Sequence, residues 1–488
     1  LTLQEALEST LNLHPQARIG EQQVAASRGL LREASGIFDP AYSSGVGQSF
    51  NPIPLTTMQA NGGPTSAALN VTSLSAGASR LYANGISAGP VFEMDRARDR
   101  LANAVGVNRS RIAYELTIPL LRNRGPEAVR ARIRSAGSQV DASRLDLNQI
   151  FSDLLTETAI SYWALVGARR LLDVAAGSEA RAQLFLENVE DLIKADRIPR
   201  NDLHQVRANL ADRIAGRIAA SQQVIVAKQR LALALGLPPE AVATIPDPAE
   251  GLPEGTVTPE EGPEAVRHYI ELALVERADY LAARKRSDVE RAFLAQAKNA
   301  LLPNVELTLS SGYSGLSEGV YPQSLLAAPF RGVRGVDAVA GVRYHFSPRN
   351  NVAGGRLAQT EAAIQQADWR TAAVARQIAS EVVVAVAGVS NATLRLAKAK
   401  ESVAAFQDAL DGEREKYRRG FGSLVDILTI EERLTGALAV AVQAQLDAAV
   451  ELAHLRQATG TLVPPEATAP RADRLLFLTL PDWRKPGP

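Results

Sequence analysis

Apolar positions along this chain follow two different periods. From about 126 to 236, and again from 350 to 460, they recur at steps of three and four, the spacing of one helix face. Beyond Pro126 at its start, the first stretch has a single proline, Pro199, and the second has none. Helices of roughly 50–60 residues would be about 75–90 Å long, against about 11–12 residues for an ordinary globular helix. Such length requires a coiled coil, a bundle or a tube. Ile427, Ile430, Leu434, Ala437, Ala441, Ala444 and Ala448 form one heptad seam. Beside it runs a second row, Leu424, Leu428, Leu438, Val442 and Ala449, interrupted by Glu431, Thr435 and Gln445. Two adjacent seams let one helix pack on neighbours at both sides, and the alanines permit close approach. A closed wall of helices fits this pattern, and a soluble antiparallel coiled-coil bundle fits the helices equally.

Between the helical stretches the period falls to two. Val305, Leu307 and Leu309 alternate with Glu306, Thr308 and Ser310; Val336, Ala338, Ala340, Val342, Tyr344 and Phe346 oppose Asp337, Arg343 and His345. In the first half Ile112, Tyr114, Leu116, Ile118 and Leu120 alternate with Arg111, Ala113, Glu115 and Thr117, and Tyr42, Val46 and Phe50 mark a further strand. Strands of about ten residues with one apolar and one polar face suit a transmembrane β-barrel with a wet lumen. Any one of them also suits a soluble two-faced sheet. Their arrangement favours the barrel: long helices reach a proline, two strands go out and back, and long helices resume. Open edges cannot face lipid, so a few strands per chain must close with those of other chains. Asn84-Gly85 predicts a type I′ hairpin turn between Ser79–Ala83 and Ile86–Met94. That hairpin could be an added strand pair, an extension of the barrel above the membrane or an external loop, and the external extension is the reading favoured.

The chain also repeats itself. Residues 150–236 lie over 374–460 without a gap at a shift of 224, setting Glu157 on Glu381, Asp202 on Asp426, Leu210 on Leu434 and Gly236 on Gly460. A shift of 263 sets Leu7 on Ile270, Leu31 on Leu294 and Pro40 on Pro303. The expected divisions are helices at 1–39, strands with the extra hairpin at 40–121, long helices at 122–236 and a linker at 237–263. The second repeat then gives helices at 264–302, strands at 303–347, long helices at 348–460 and a tail at 461–488.

Composition narrows the function classes. The 488 residues carry 53 Lys+Arg against 53 Asp+Glu, which gives no bulk electrostatic reason to expect nucleic acid. There is no cysteine, hence no disulfide, thiolate metal site or Cys nucleophile in these residues. No run of about 18 uninterrupted apolar residues speaks for a transmembrane helix. No charged-then-apolar leader opens the chain, which leaves both a cytosolic protein and a mature exported form open. The five histidines are scattered, and neither metal-ligand spacing, a nucleophile elbow nor a phosphate loop is present. The expectation is therefore a protein with neither enzymatic activity nor cofactor or metal.

Particular motifs resemble those of the TolC-like outer membrane factors of Gram-negative bacteria. They are the opening Leu1-Thr2-Leu3-Gln4-Glu5-Ala6-Leu7 with His14-Pro15, the segment Leu116 to Gly125, and Leu233-Ala234-Leu235-Gly236-Leu237-Pro238. The fourth is Tyr417-Arg418-Arg419-Gly420 running into Ser423-Leu424-Val425-Asp426. The resemblance implies a mainly α fold with β. Each two-repeat protomer would have very long coiled-coil helices plus four transmembrane β-strands, three copies forming a 12-stranded β-barrel on an α-helical barrel. It implies an exit duct for efflux or type I secretion, set in outer-membrane lipid and reaching into the periplasm. The partners would be two further copies, a periplasmic adaptor and an inner-membrane transporter. The linker and tail would supply a belt around the tube, with Asp482 to Pro488 disordered. At the periplasmic tip Asp426 would line a constriction, Tyr417 and Asp202 would tether it, and Gly420 and Gly422 would shape the turn. The family's second aspartate is Thr429 here, its arginine after the turn glycine is Gly422, and Asp196 stands where the neighbouring turn carries glycine. The alternatives are a soluble coiled-coil scaffold or tether, in which Asp426 only caps its helix, and an outer-membrane receptor or adhesin.

Overall fold

The two repeats announce themselves in how their helices stop. Gly236 and Gly460, 224 residues apart, have φ of +73° and +71°. In the first, Leu237 N–H reaches Ala232 O at 2.9 Å and Gly236 N–H reaches Leu233 O at 3.0 Å. In the second, Thr461 N–H reaches Arg456 O at 3.2 Å and Gly460 N–H reaches Gln457 O at 3.0 Å. This is the same Schellman stop twice, at a residue whose left-handed backbone favours glycine. Helix starts are encoded as locally. Thr2 Oγ1 accepts from Glu5 N–H at 3.2 Å while the Glu5 carboxylate accepts from Thr2 N–H at 2.8 Å, a reciprocal capping box.

The computed structural model describes residues 1–54, 56, 66–99, 103–195, 200, 202–253, 259, 262–319, 323, 328, 330, 333–419, 421–467 and 470–482. Helices α1 (Leu3–Leu13) and α2 (Pro15–Ser35) open the first repeat, broken at His14-Pro15, followed by strands β1 (Ala41–Pro54), β2 (Ser66–Leu81), β3 (Ser87–Asp99) and β4 (Asn103–Pro119). A short helical turn (Pro126–Val129), α3 (Ala131–Lys194) and α4 (Asp202–Ala234) complete it. The second repeat has α5 (Pro263–Glu276), α6 (Ala278–Asn299), β5 (Asn304–Glu318), β6 (Val333–His345), α7 (Asn351–Arg418) and α8 (Leu424–Ala458). Of the expected disordered end, 483–488 lies outside the described residues.

The chain divides into two compact units. The helical unit comprises 1–25, 141–284 and 369–488. Its largest core gathers Leu3 and Leu7 of α1, Phe151, Tyr162 and Trp163 of α3, and Leu231 of α4. The linker adds Ile245 and Leu252, and the tail adds Leu462 and Phe477. Linker and tail are thus folded onto the helices. Gln445 donates to Pro253 O at 3.0 Å, and buried Arg456 donates to Thr479 O and Leu480 O at 3.0 and 2.7 Å. Burial pulls the Arg456 guanidinium down to about 10. Alanines and valines also make α7 and α8 more apolar than a test for uninterrupted runs detects. Each contains an 18-residue window, of mean hydropathy 1.5 and 1.2, that passes for a membrane span by length and composition, with 28% of each window buried.

The other unit comprises 26–140 and 285–368 and is built on one antiparallel sheet in the order β1-β2-β3-β4-β5-β6. Its register puts Tyr114 beside Pro90 on one side and Ser311 on the other, and Ser311 beside Ala338. The apolar sets read from β4, β5 and β6 therefore share a face, as the alternation requires. Two expectations change. β2 and β3 lie inside the sheet between β1 and β4, making six strands where four were expected. The alternation of β2 is carried largely by serine, glycine and alanine, which a search for large apolar residues passes over. The Asn84-Gly85 turn is also not type I′. Only Gly85 has positive φ (+92°), with Gly85 N–H on Tyr82 O at 2.9 Å, the three-residue loop with a bulged glycine.

Candidate gate at the helical turns

Two helix-to-helix turns of the helical unit hold the residues singled out by sequence. One joins α3 to α4 and the other joins α7 to α8. Serine at position 423 caps α8, its hydroxyl accepting from Val425 N–H at 3.2 Å. Gly422 lies directly beneath Tyr417: a Cβ there would stand 2.7 Å from Tyr417 N, so the turn closes only with glycine. Gly420 lies outside the described residues.

Tyr417 is the pivot of the site. Its ring packs on Phe185 of α3, centroids 6.2 Å apart, in a cluster with Val189 of α3, Val206 of α4 and Leu424 of α8. Four long helices therefore meet around one aromatic pair. The hydroxyl is buried and has no hydrogen-bond partner among the described residues. Burial pushes its pKa up, and the nearby Asp202 carboxylate adds to the rise. Asp202, in the first turn of α4, is half-buried. Tyr417 and Asp202 are thus electrostatic neighbours, without a hydrogen bond between them. Asp426 is separate. It sits exposed in the first turn of α8, where a carboxylate is favoured by the helix N-terminus. Lys416 feels its charge, more weakly than that of Glu413 at 2.8 Å. Phe421, in the α7–α8 connection, is 87% exposed.

The strongest polar contact at this end was not singled out by sequence. Glu431 of α8 is 6% exposed and lies between two arginines, paired with Arg181 of α3 and with Arg414 of α7 at 3.1 Å. One turn on, Thr435 bonds Ser178 at 3.2 Å. The signal was present as interruption: Glu431, Thr435 and Gln445 break the apolar row of α8, and each breaks it to meet a partner. Arg181, Phe185, Asp191, Arg414 and Tyr417 also line a groove of about 590 Å³. The arrangement is mechanical in character. Charged clamps and one aromatic joint hold two helix pairs together at their turns, where sliding of one pair past the other would be resisted.

A family model described as outer membrane efflux protein matches residues 269–461. No curated protein is matched significantly. Solved structures share the fold over almost the whole chain. The outer-membrane channel OprN is 18% identical with a TM-score of 0.68, covering 94% of this chain and 89% of that one. The CmeC outer membrane channel of Campylobacter jejuni is 13% identical with a TM-score of 0.66, covering 96% and 87%. The outer membrane protein VceC of Vibrio cholerae is 18% identical with a TM-score of 0.64, covering 94% and 96%.

Proposed function

From a chain that has the fold of the TolC-like outer membrane factors and an outer membrane efflux protein match over 269–461, we propose one third of a passive exit duct through the outer membrane. Three copies close their sheets into one barrel, and their long helices form a tube on its periplasmic side. The observation that carries this reading is the pair of open sheet edges. Among the described residues β1 and β6 each pair on one side only, and the side chains they present are bare, with Tyr42, Val46 and Val336 each 81% exposed. Unpaired backbone beside exposed aromatic and branched side chains is unstable in water and equally so in lipid, where every N–H and C=O needs a partner. Pairing β1 of one copy with β6 of the next satisfies both. A soluble scaffold would leave these groups uncovered.

In this reading the wall does no chemistry. Substrate is driven by an inner-membrane transporter through a periplasmic adaptor, and the duct opens when the two helix pairs move relative to each other at the turns. The clamps at Glu431 and the Phe185–Tyr417 joint hold the resting state, and Asp426, repeated threefold, favours cations near the opening. The test is mass photometry of the detergent-purified chain followed by conductance in a planar bilayer. A trimer with small cation-selective currents supports the duct. A water-soluble monomer or dimer that carries no current defeats it.

A further inference from the structure

The β2–β3 hairpin is part of a continuous ladder. β1 pairs with β2 through fourteen positions, from Ala41 opposite Ser79 to Pro54 opposite Ser66, and β3 pairs with β4 from Ser87 opposite Thr117 onward. The hairpin turn lies at the helix-bearing end of the sheet. Gly125 N–H donates to Asn84 O at 3.0 Å, and a Cβ on Gly85 would stand 2.1 Å from Asn123 O. The two strands therefore run alongside their neighbours from that end and do not begin beyond the outer one.

Their faces match those of the wall. By register, Leu74, Ala76, Ala78, Pro90 and Phe92 share the face of Tyr42, Ile112 and Val336; Met94 lies on the same face but is only 2% exposed. Ser73, Ser75, Ser79 and Glu93 share the opposite face with Arg111 and Asp337. On that polar face Arg111 of β4 ties the hairpin to the rest. It pairs with Glu93 of β3 at 3.6 Å, Glu115 at 3.6 Å and Asp337 of β6 at 2.9 Å, and it donates to Ser310 of β5 at 2.5 Å. The apolar face is bracketed by charge. Arg80 lies opposite Ala88, and the next outward arginine on β3 is Arg96, eight residues on. At about 3.4 Å per residue and a tilt near 40° that is a band of about 21 Å, close to the about 25 Å of barrel proteins. A hairpin standing in water above the membrane has no use for such a band.

We propose that β2 and β3 are lipid-facing wall strands, so that the barrel closed by three copies has eighteen strands, not the twelve that four per protomer would give. The proposal rests on the trimeric-duct reading and fixes its pore. Barrel diameter grows roughly linearly with strand number, so the lumen is about half as wide again, with about twice the cross-section. Six tilted strands span about 38 Å of circumference per copy, against about 25 Å for four. The four helical segments of the same unit occupy about 32–40 Å at ordinary helix spacing. The contents of the lumen follow: small serines and the Arg111 cluster line it, leaving room for broad, hydrated cargo, and the limit on cargo size falls to the helical turns.

Electron cryomicroscopy of the full chain in lipid nanodiscs, at a resolution that separates strands about 4.7 Å apart, decides this. Eighteen strands with β2 and β3 in the wall are expected. A closed twelve-strand trimer with the hairpin outside the wall overturns the proposal and leaves the duct reading intact. Particles without a threefold barrel overturn both.

Discussion

Glu431 is the residue whose removal the structure makes most costly at the helical turns. Its carboxylate is nearly out of water, while Arg181 and Arg414 keep 29% and 36% exposure. Replacing Glu431 by alanine leaves two guanidinium groups facing each other across a small hole. The expected loss is about 2–3 kcal/mol, below the about 3–5 kcal/mol of a fully buried pair because both arginines can reach water. Chemical denaturation in detergent measures it, and wild-type stability in Glu431→Ala would show that the clamp holds nothing. Tyr417 behaves oppositely. Its buried hydroxyl lacks a partner, so Tyr417→Phe is expected to lie within about 1 kcal/mol of wild type at neutral pH, or to stabilise. The sign of its pH dependence is fixed. The folded-state pKa is raised, so the neutral phenol's contribution is whole below about 10 and drains away as pH rises toward the folded value. The wild type should therefore lose stability above pH ~10 faster than Tyr417→Phe, and parallel curves would place the ring in water. Asp426→Asn should cost no more than the about 0.3–1 kcal/mol of a carboxylate at a helix N-terminus and, in the proposed duct, raise the half-blocking concentration of a multivalent cation by about tenfold, since three carboxylates leave the ring together. Unchanged block in single-channel recordings would remove Asp426 from the pore.

At the scale of elements, glycine does two separate jobs, and Gly85 combines them. Its φ of +92° costs an L-residue about 1–2 kcal/mol, and the Asn123 carbonyl fills the place a Cβ would take. Gly85→Ala is therefore expected to lower the yield of assembled trimer severalfold on gels. Gly85→Asn, which tolerates the backbone conformation, should fail as well because the clash persists; rescue by asparagine would mean that only φ mattered. The same elements show what the sequence could and could not disclose. The ends of the long helices at Gly236 and Gly460 and the strands around Ile112 and Val336 were legible, because a helix-stopping glycine or large alternating side chains specify them, whereas the break at His14-Pro15 went unread within a segment taken as helical throughout. β2 was not, because Ser73, Ser75, Ala76, Gly77 and Ala78 are too small to produce a strong period, though their pairing is complete. Pairing is a long-range property that no local window contains. The contact of Glu431 with Arg181 escaped for the same reason, since the two stand 250 positions apart.

At the scale of the molecule, the duplication predicts which face of each helix a second copy covers. In the helical unit α8 packs on α3: Gln457 bonds Asp153 at 2.9 Å, Thr435 bonds Ser178, and Val442 and Ala449 lie with Ala159, Tyr162 and Trp163 in one core. Shifted back by 224 residues, Leu438, Val442 and Ala449 become Ile214, Ile218 and Ile225 of α4, and Ala159 shifted forward becomes Val383 of α7. Ile218, Ile225 and Val383 are 57%, 54% and 47% exposed in the single chain. Within one copy the face of α8 is covered and its image on α4 is bare. A closed ring resolves this if α4 of each copy packs on α7 of the next as α8 packs on α3 within a copy. Each isoleucine, already about half covered in the single chain, contributes about 1–1.5 kcal/mol on full burial, and a ring of three has three such interfaces. A carboxylate there must also lose its hydration, a cost of several kcal/mol. Ile225→Asp is therefore expected to leave helical circular dichroism unchanged while mass photometry in detergent shows monomers in place of trimers. Trimers at wild-type yield would mean that this face is solvent-exposed in the assembly and that the two repeats do not pack alike.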